Sequence, residues 1–332
     1  MDIRNTRAMK TFAAERLSGA PQEKKIVLIY SSIVVGLALL STLIHYILGL
    51  QIDQMGGLSQ ISRRTTFSTL QSMLPLVQSL AVMCVELGYM AAMLRIARGQ
   101  YTSPNTLRLG FSRFWTLLRC AVIQGLIYAG LMVASVYLAS MVFVMSPLGD
   151  SFLTRMDSLT TGTSLLNPQM VLDDATVMQL IPTMLPMFLL VIVAACIFVV
   201  PVSFRFRMAN YVIIDKPGSG AFYALLESRK MMRGNCLKLL KLDLSYWWYF
   251  LVLFAIACIG NLDQWLSLFG VVLPVPSEVA YFGFYAVYLG LQLLAYYLLR
   301  NRIEVTYAMA YDAVRPEEPK DTGVVLGNIF NM

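Results

Sequence analysis

Gln71, Ser72, Gln78, Ser79 and Glu86 recur at seven- or eight-residue intervals, with Pro75 among them. On a helix this spacing gathers them on one face. The surrounding residues are apolar, so the stripe must face other protein or a water-filled cavity rather than lipid. A carboxylate at mid-membrane costs about 2.5–3.5 kcal/mol on insertion scales. Two chemistries fit. Gln71, Gln78, Ser79 and Glu86 could line a polar path for a cation or a proton. Alternatively, Glu86 is a protonated carboxyl bonded to a neighbouring helix, since desolvation favours its neutral form. The second reading is favoured.

A second group is cationic: Arg229, Lys230, Arg233, Lys238 and Lys241. Interspersed with apolar residues, such a group suits anionic lipid headgroups or a cytoplasmic partner. Asp243 is expected in a structural ion pair with Arg205 or Arg207, or screened by Lys238 and Lys241. Arg300 and Glu304, four apart, are expected to form an exposed helical pair of small value. The lone histidine, His45, reads as a hydrogen-bonded interface residue. A His-based metal site is not expected. The chain has no G-x-S-x-G, P-loop, dinucleotide fingerprint or H-E-x-x-H, so no catalytic residue or cofactor is assigned. Cys84, Cys120, Cys196, Cys236 and Cys258 lie in or beside apolar stretches without Cys-x-x-Cys spacing, and are expected to be buried free thiols.

These residues need elements to hold them, and composition says which. Of 332 residues, 58% are hydrophobic and 14% charged, against about 25% charged in soluble domains. Mean hydropathy is +0.65. A disordered chain, a collagen and an ordinary cytosolic enzyme are excluded. A membrane crossing needs about 20 mostly apolar residues. Six stretches qualify: residues 26–50, 70–94, 115–142, 178–202, 239–259 and 279–299. The expected fold is an all-α polytopic transmembrane bundle with short cytoplasmic interfacial helices. Residues 1–25 form a basic amphipathic segment, 26–312 the membrane domain and 313–332 a tail. Pro182, Pro186 and Pro201 could kink span four.

The net charge of +7 is unevenly placed. The termini and even-numbered connections carry 23 basic residues; the odd-numbered loops carry three. The positive-inside rule then puts both termini in the cytoplasm. The loop 146–177, with Asp150, Asp157, Asp173 and Asp174 against Arg155, goes outside. Tyr246, Trp247, Trp248 and Tyr249 mark the inner end of span five, and Tyr296 and Tyr297 that of span six. Nucleic acid is not expected as a partner, because the basic residues flank apolar runs.

In the connection before span five, Pro217 and Gly218 break the chain. Ser219 is the expected N-cap and Gly234 the residue just past the helix end. Phe222, Leu225, Leu226 and Met232 are expected on one side of this helix, interrupted by Arg229 and Arg233. Tyr223, Glu227 and Lys230 are expected on the other. Basic residues mixed with apolar ones also precede span three, after Pro104, and span one. A motif of basic interfacial helix, break and span therefore suggests itself three times.

Residues 221–250, AFYALLESRKMMRGNCLKLLKLDLSYWWYF, resemble the signature of the bacterial integral-membrane family called domain of unknown function 975. The matching positions are Ser228, Met232, Gly234, Asn235, Lys238, Leu242, Leu244, Ser245 and Trp247 or Trp248. LGYMAAMLRIARGQ, residues 87–100, followed by Phe111, is similar too, as is a stretch at 10–19. Where the family tends to carry Pro-Tyr, this chain has Leu299-Arg300. The resemblance implies a helical protein of the bacterial cytoplasmic membrane and no particular activity. The expected function is non-enzymatic: engagement of anionic inner-leaflet lipid, or of a protein partner, through the basic helices. The alternative is a small transporter or lipid translocator using the stripe of span two.

Overall fold

In a computed structural model, residues 5–53, 61–160, 174–268 and 277–315 are described, and among these the chain is helical with no strand. Residues 161–173 of the expected outer loop and 316–332 of the expected tail lie outside the described residues.

The elements are α1 (Thr6–Ser18), α2 (Glu23–Asp53), α3 (Ile61–Ala97), a 3-10 turn (Pro104–Arg108), α4 (Leu109–Ser112) and α5 (Phe114–Val144). Then come α6 (Pro147–Thr160), α7 (Asp174–Phe206), α8 (Ala209–Asp215), α9 (Ala221–Met232), α10 (Cys236–Leu244) and α11 (Trp247–Gly260). The last are α12 (Leu262–Leu268), α13 (Ser277–Ala295), a π-helical turn (Tyr296–Arg300) and α14 (Asn301–Val314). Among the described residues, five helices are long and apolar enough to cross a membrane, or six crossings if α10 and α11 count as one bent at 59°. The stretch expected as span five, 239–259, is thus interrupted between Leu244 and Trp247.

Two compact units are present. One comprises residues up to Leu118 and from Met208 onward. Its core lies at one end, around α14, which buries Ile303, Val305, Ala308, Ala310 and Tyr311 among others. Met9, Ala13 and Leu17 line one side of α1 at four-residue steps and pack there. The later half of α3 buries nearly every residue from Cys84 to Ala97, while its earlier half exposes Leu70, Met73, Leu76 and Val77. Gly88 and Gly110 let the segment after α3 fold back onto it. A Cβ on Gly110 would lie 1.7 Å from the Cys84 carbonyl oxygen, and one on Gly88 2.2 Å from that of Leu107.

The other unit, Arg119–Arg207, holds most of α5, α6 and most of α7. Leu126, Val133, Tyr137, Phe188, Ile192 and Ile197 are exposed along its two long helices. Contiguous apolar exposure on this scale is untenable in water and ordinary in lipid. Cys196 is exposed here, against the expectation of burial; Cys84 and Cys120 are buried, and all five cysteines are free.

The threefold motif is only partly regular. A short helix does precede α2 and α10, but before α5 the chain makes a 3-10 turn and the four-residue α4.

Candidate membrane-interface site

The family-like stretch folds as two short helices around a tight turn. α9 begins at Ala221 with Gly220 as N-cap, not Ser219, whose hydroxyl instead donates to the Lys216 carbonyl. Gly234, at φ +80°, reverses the chain just past the helix end, where L side chains are strained. α9 buries Ala221, Ala224, Leu225, Ser228, Met231 and Met232. Ser228 is fully buried, and its Oγ accepts the Met208 N–H at 3.2 Å. That satisfies a donor at the start of α8 that no helical carbonyl can reach. Asn235 donates to the Met231 carbonyl and accepts from Lys238 Nζ at 2.7 Å, so Lys238 is held inward.

The outer face differs from the sequence reading. Phe222 and Leu226 do not share the packed side with Leu225 and Met232. They are 69% and 54% exposed and stand with the exposed Arg229, Lys230 and Arg233. Lys230 lies 3.8 Å from Glu227, an exposed pair of little energetic value. α10 likewise exposes Leu237, Leu244 and Lys241, and Trp247 after it is exposed too.

The break between α10 and α11 is held from α1 and α14. Ser245 Oγ bonds back to the Leu242 carbonyl, and its own carbonyl accepts Lys10 Nζ at 2.7 Å. The same ammonium lies 4.0 Å from the Tyr246 ring centroid, a cation–π contact. Burial pushes the Lys10 amine below the usual lysine range. Tyr246 shares a buried hydrogen bond with Thr306 at 2.9 Å, and the Tyr307 hydroxyl donates to Asp243 at 2.6 Å.

Glu86 meets Arg300 at 2.6 Å. The guanidinium sits 4.9, 5.6 and 4.7 Å from the ring centroids of Tyr30, Tyr89 and Tyr296. The π turn ending at Arg300 sets this aim; such turns occur mostly as single insertions in helices. Glu304 is 3.8 Å away, as its spacing foretold, but the pair is not exposed: the side chains are 12% and 17% accessible. The other stripe residues do not converge with Glu86. Gln71 donates to the His45 carbonyl at 3.3 Å, and Ser72 and Ser79 bond within their own helix. Gln78 is half-buried.

Sequence reasoning missed a second charged node. Arg98 reaches Asp312 through Nε and Nη2 (3.0 and 2.6 Å) and Asp215 through Nη1 (2.7 Å). Arg315 and the Tyr311 hydroxyl also reach Asp215, at 2.6 and 3.1 Å. The Asp312 hydrogen bond holds the Arg98 charge more firmly than usual, against the cost of burial. The signal available was weak: an arginine just past the end of an apolar helix, and two aspartates distant in sequence. A cleft of about 600 Å³ is bounded by Phe12, Arg16, Gln22, Gly99 and Tyr101, and no residue of this node lines it.

No curated protein and no solved structure matches the chain. One family model does match, over residues 1–318, nearly the whole length. It covers the α9–α10 stretch, α3 and α14 alike. The chain belongs to the family described as protein of unknown function DUF975.

Proposed function

We propose that this is a non-enzymatic, multi-pass protein of the cytoplasmic membrane that engages anionic inner-leaflet lipid through α9 and α10. The observation that carries the reading is two helix faces, each with two chemistries. By helical spacing, exposed Phe222 and Leu226 share a face of α9 with exposed Arg229, Lys230 and Arg233, and exposed Leu237 and Leu244 share a face of α10 with exposed Lys241. Apolar side chains seek the acyl boundary and basic ones the phosphates just above it. Water alone would not tolerate the first group, and a neutral bilayer would leave the second without counter-charge. The charge distribution along the chain supports cytoplasmic termini. The transport reading has less support, because Glu86 is engaged by Arg300 and Ser79 by its own turn.

The test is lipid selectivity in nanodiscs of mixed phosphatidylglycerol and phosphatidylcholine. Spin-labelled lipids report the relative association of each with the protein. Each basic residue near an anionic surface is worth about 1 kcal/mol. Arg229→Ala/Lys230→Ala/Arg233→Ala should therefore weaken phosphatidylglycerol association at this surface by about two orders of magnitude, and lower the preference averaged over the whole lipid boundary several-fold. An unchanged preference would overturn the reading, and capture of a soluble protein by the same surface would replace lipid with a partner.

A further inference from the structure

The longest helices are too long for a bilayer. The candidate spans ending at Ala97 and Val314 each have 36 residues, about 54 Å at 1.5 Å per residue. The hydrocarbon core is about 30 Å thick, and the whole bilayer about 40–45 Å. A large part of each must lie beyond the membrane, and burial shows where the change falls.

α2, α3 and α14 switch environment at one level. On α2, Ile26, Val27, Tyr30 and Ser31 are buried, and beyond them Leu39, Leu40, Leu43 and Ile47 are exposed. On α3 the exposed stretch ends and the buried one begins at Cys84. α13 exposes Val279, Val287 and Leu294, whereas α14 is buried along most of its length from Asn301. The level is marked by Glu86 and Arg300, by the stacked Tyr30 and Tyr89, and by Tyr296. Charged groups and tyrosines are what the headgroup layer selects. We infer that the inner face of the bilayer meets the protein at the Glu86–Arg300 pair, and that the helices beyond it form a water-side domain.

Lengths agree independently. From this level outward, α2 retains residues 31–53, α3 residues 61–85, and α13 with its π turn residues 277–300. These are about 34, 37 and 36 Å, enough for the hydrocarbon and part of the headgroup layer. Inward lie Arg95, Arg98, Arg302, Asp312 and Asp215, a concentration of charge that hydrocarbon would not accommodate. Glu86 then sits among headgroups rather than at mid-membrane. The inference rests on the membrane-spanning part of the proposed function and is independent of lipid charge.

The test uses the full chain in vesicles, with single spin labels at Ser79→Cys, Leu298→Cys, Met90→Cys and Arg302→Cys. Cys196, Cys236 and Cys258 are replaced by serine; Cys84 and Cys120 are buried and stay. The ratio of oxygen to water-soluble nickel-complex accessibility should be several-fold higher at Ser79 and Leu298 than at Met90 and Arg302. A high ratio at all four overturns the inference and leaves the spanning reading intact. A low ratio at all four overturns both. If a labelled variant does not fold, hydroxyl-radical footprinting of the unaltered protein decides. Met73 should be protected by lipid and Met90 oxidised; protection of both overturns the inference.

Discussion

Arg300 holds together the cluster of Glu86, Glu304 and three tyrosines. Its side chain is 12% accessible, and three tyrosine rings occupy the space water would fill. A charge so enclosed is tolerable only while paired, and breaking a buried pair typically costs 3–5 kcal/mol. The two partners are not equivalent. Glu86 is 42% accessible, so removing it exposes Arg300 to solvent or headgroups and leaves Glu304 at 3.8 Å. Removing Arg300 instead leaves a tyrosine-walled void beside two carboxylates. Arg300→Ala should therefore lower stability by about 3–5 kcal/mol, and Glu86→Gln by about 1 kcal/mol. Thermal unfolding in detergent, followed by circular dichroism, would check the order. Equal losses would mean that Glu86, not the cage, holds the arginine. Little of this was legible beforehand. The Arg300–Glu304 pair was, because helical spacing fixes near neighbours. Glu86 lies 214 residues away, and no local pattern reports a partner at that distance.

Helices meet in this protein partly by the absence of side chains. The segment after α3 reaches it only because Gly88 and Gly110 present no Cβ. The clashing atoms would be backbone, which cannot swing aside. Gly110→Ala and Gly88→Ala should each cost at least about 1–3 kcal/mol. Gly36, with nothing within 4 Å of its would-be Cβ, is the control. Gly36→Ala should be neutral or stabilising by about 0.5–1 kcal/mol, since alanine is the better helix former. A melting-temperature series on the three variants separates close approach from helix propensity. Ser228→Ala should cost about 1 kcal/mol, the usual loss for a missing cap, with α8 as the element loosened. Hydrogen exchange at residues 208–212 would show whether the loss falls there. The end of α9 at Gly234 was readable because glycine past a basic last turn is a local signal. Its packed face was not. Phe222 and Leu226 are as apolar as Leu225 and Met232, so periodicity could not say which pair packed inward and which stayed exposed. The break at Ser245–Tyr246 was hidden for a related reason. No proline or glycine marks it, and it is held by Lys10, Thr306 and Tyr307 from distant parts of the chain.

At the scale of the molecule, hydropathy located the long apolar helices because lipid and protein interior select the same residues. That equivalence also hid the inner core, where buried helices pass for longer spans. It leaves one question of parity, on which the orientation of the chain turns. If α10 and α11 form a broken crossing, the spans number six and both ends share a side. If the pair only dips in and returns, the spans number five and the ends are opposed. α11 alone has 14 residues, about 21 Å, short of a crossing. Inclined at 59° to it, the nine residues of α10 add about 7 Å along its axis, which carries the chain into the inner headgroup layer, where Lys238 and Lys241 belong. Charge points the same way. Eight basic residues lie between Arg205 and Lys241, none between α11 and α13, and four from Arg300 onward. A re-entrant pair would place the connection without basic residues on the same side as its basic flanks and would carry the last four basic residues outward, against the positive-inside rule. The expected outcome is a fluorescent C-terminal green fluorescent protein fusion and an inactive C-terminal alkaline phosphatase fusion. A phosphatase fused after α12 should be active. Phosphatase activity at the C-terminus but not after α12 would make α10 and α11 a re-entrant pair.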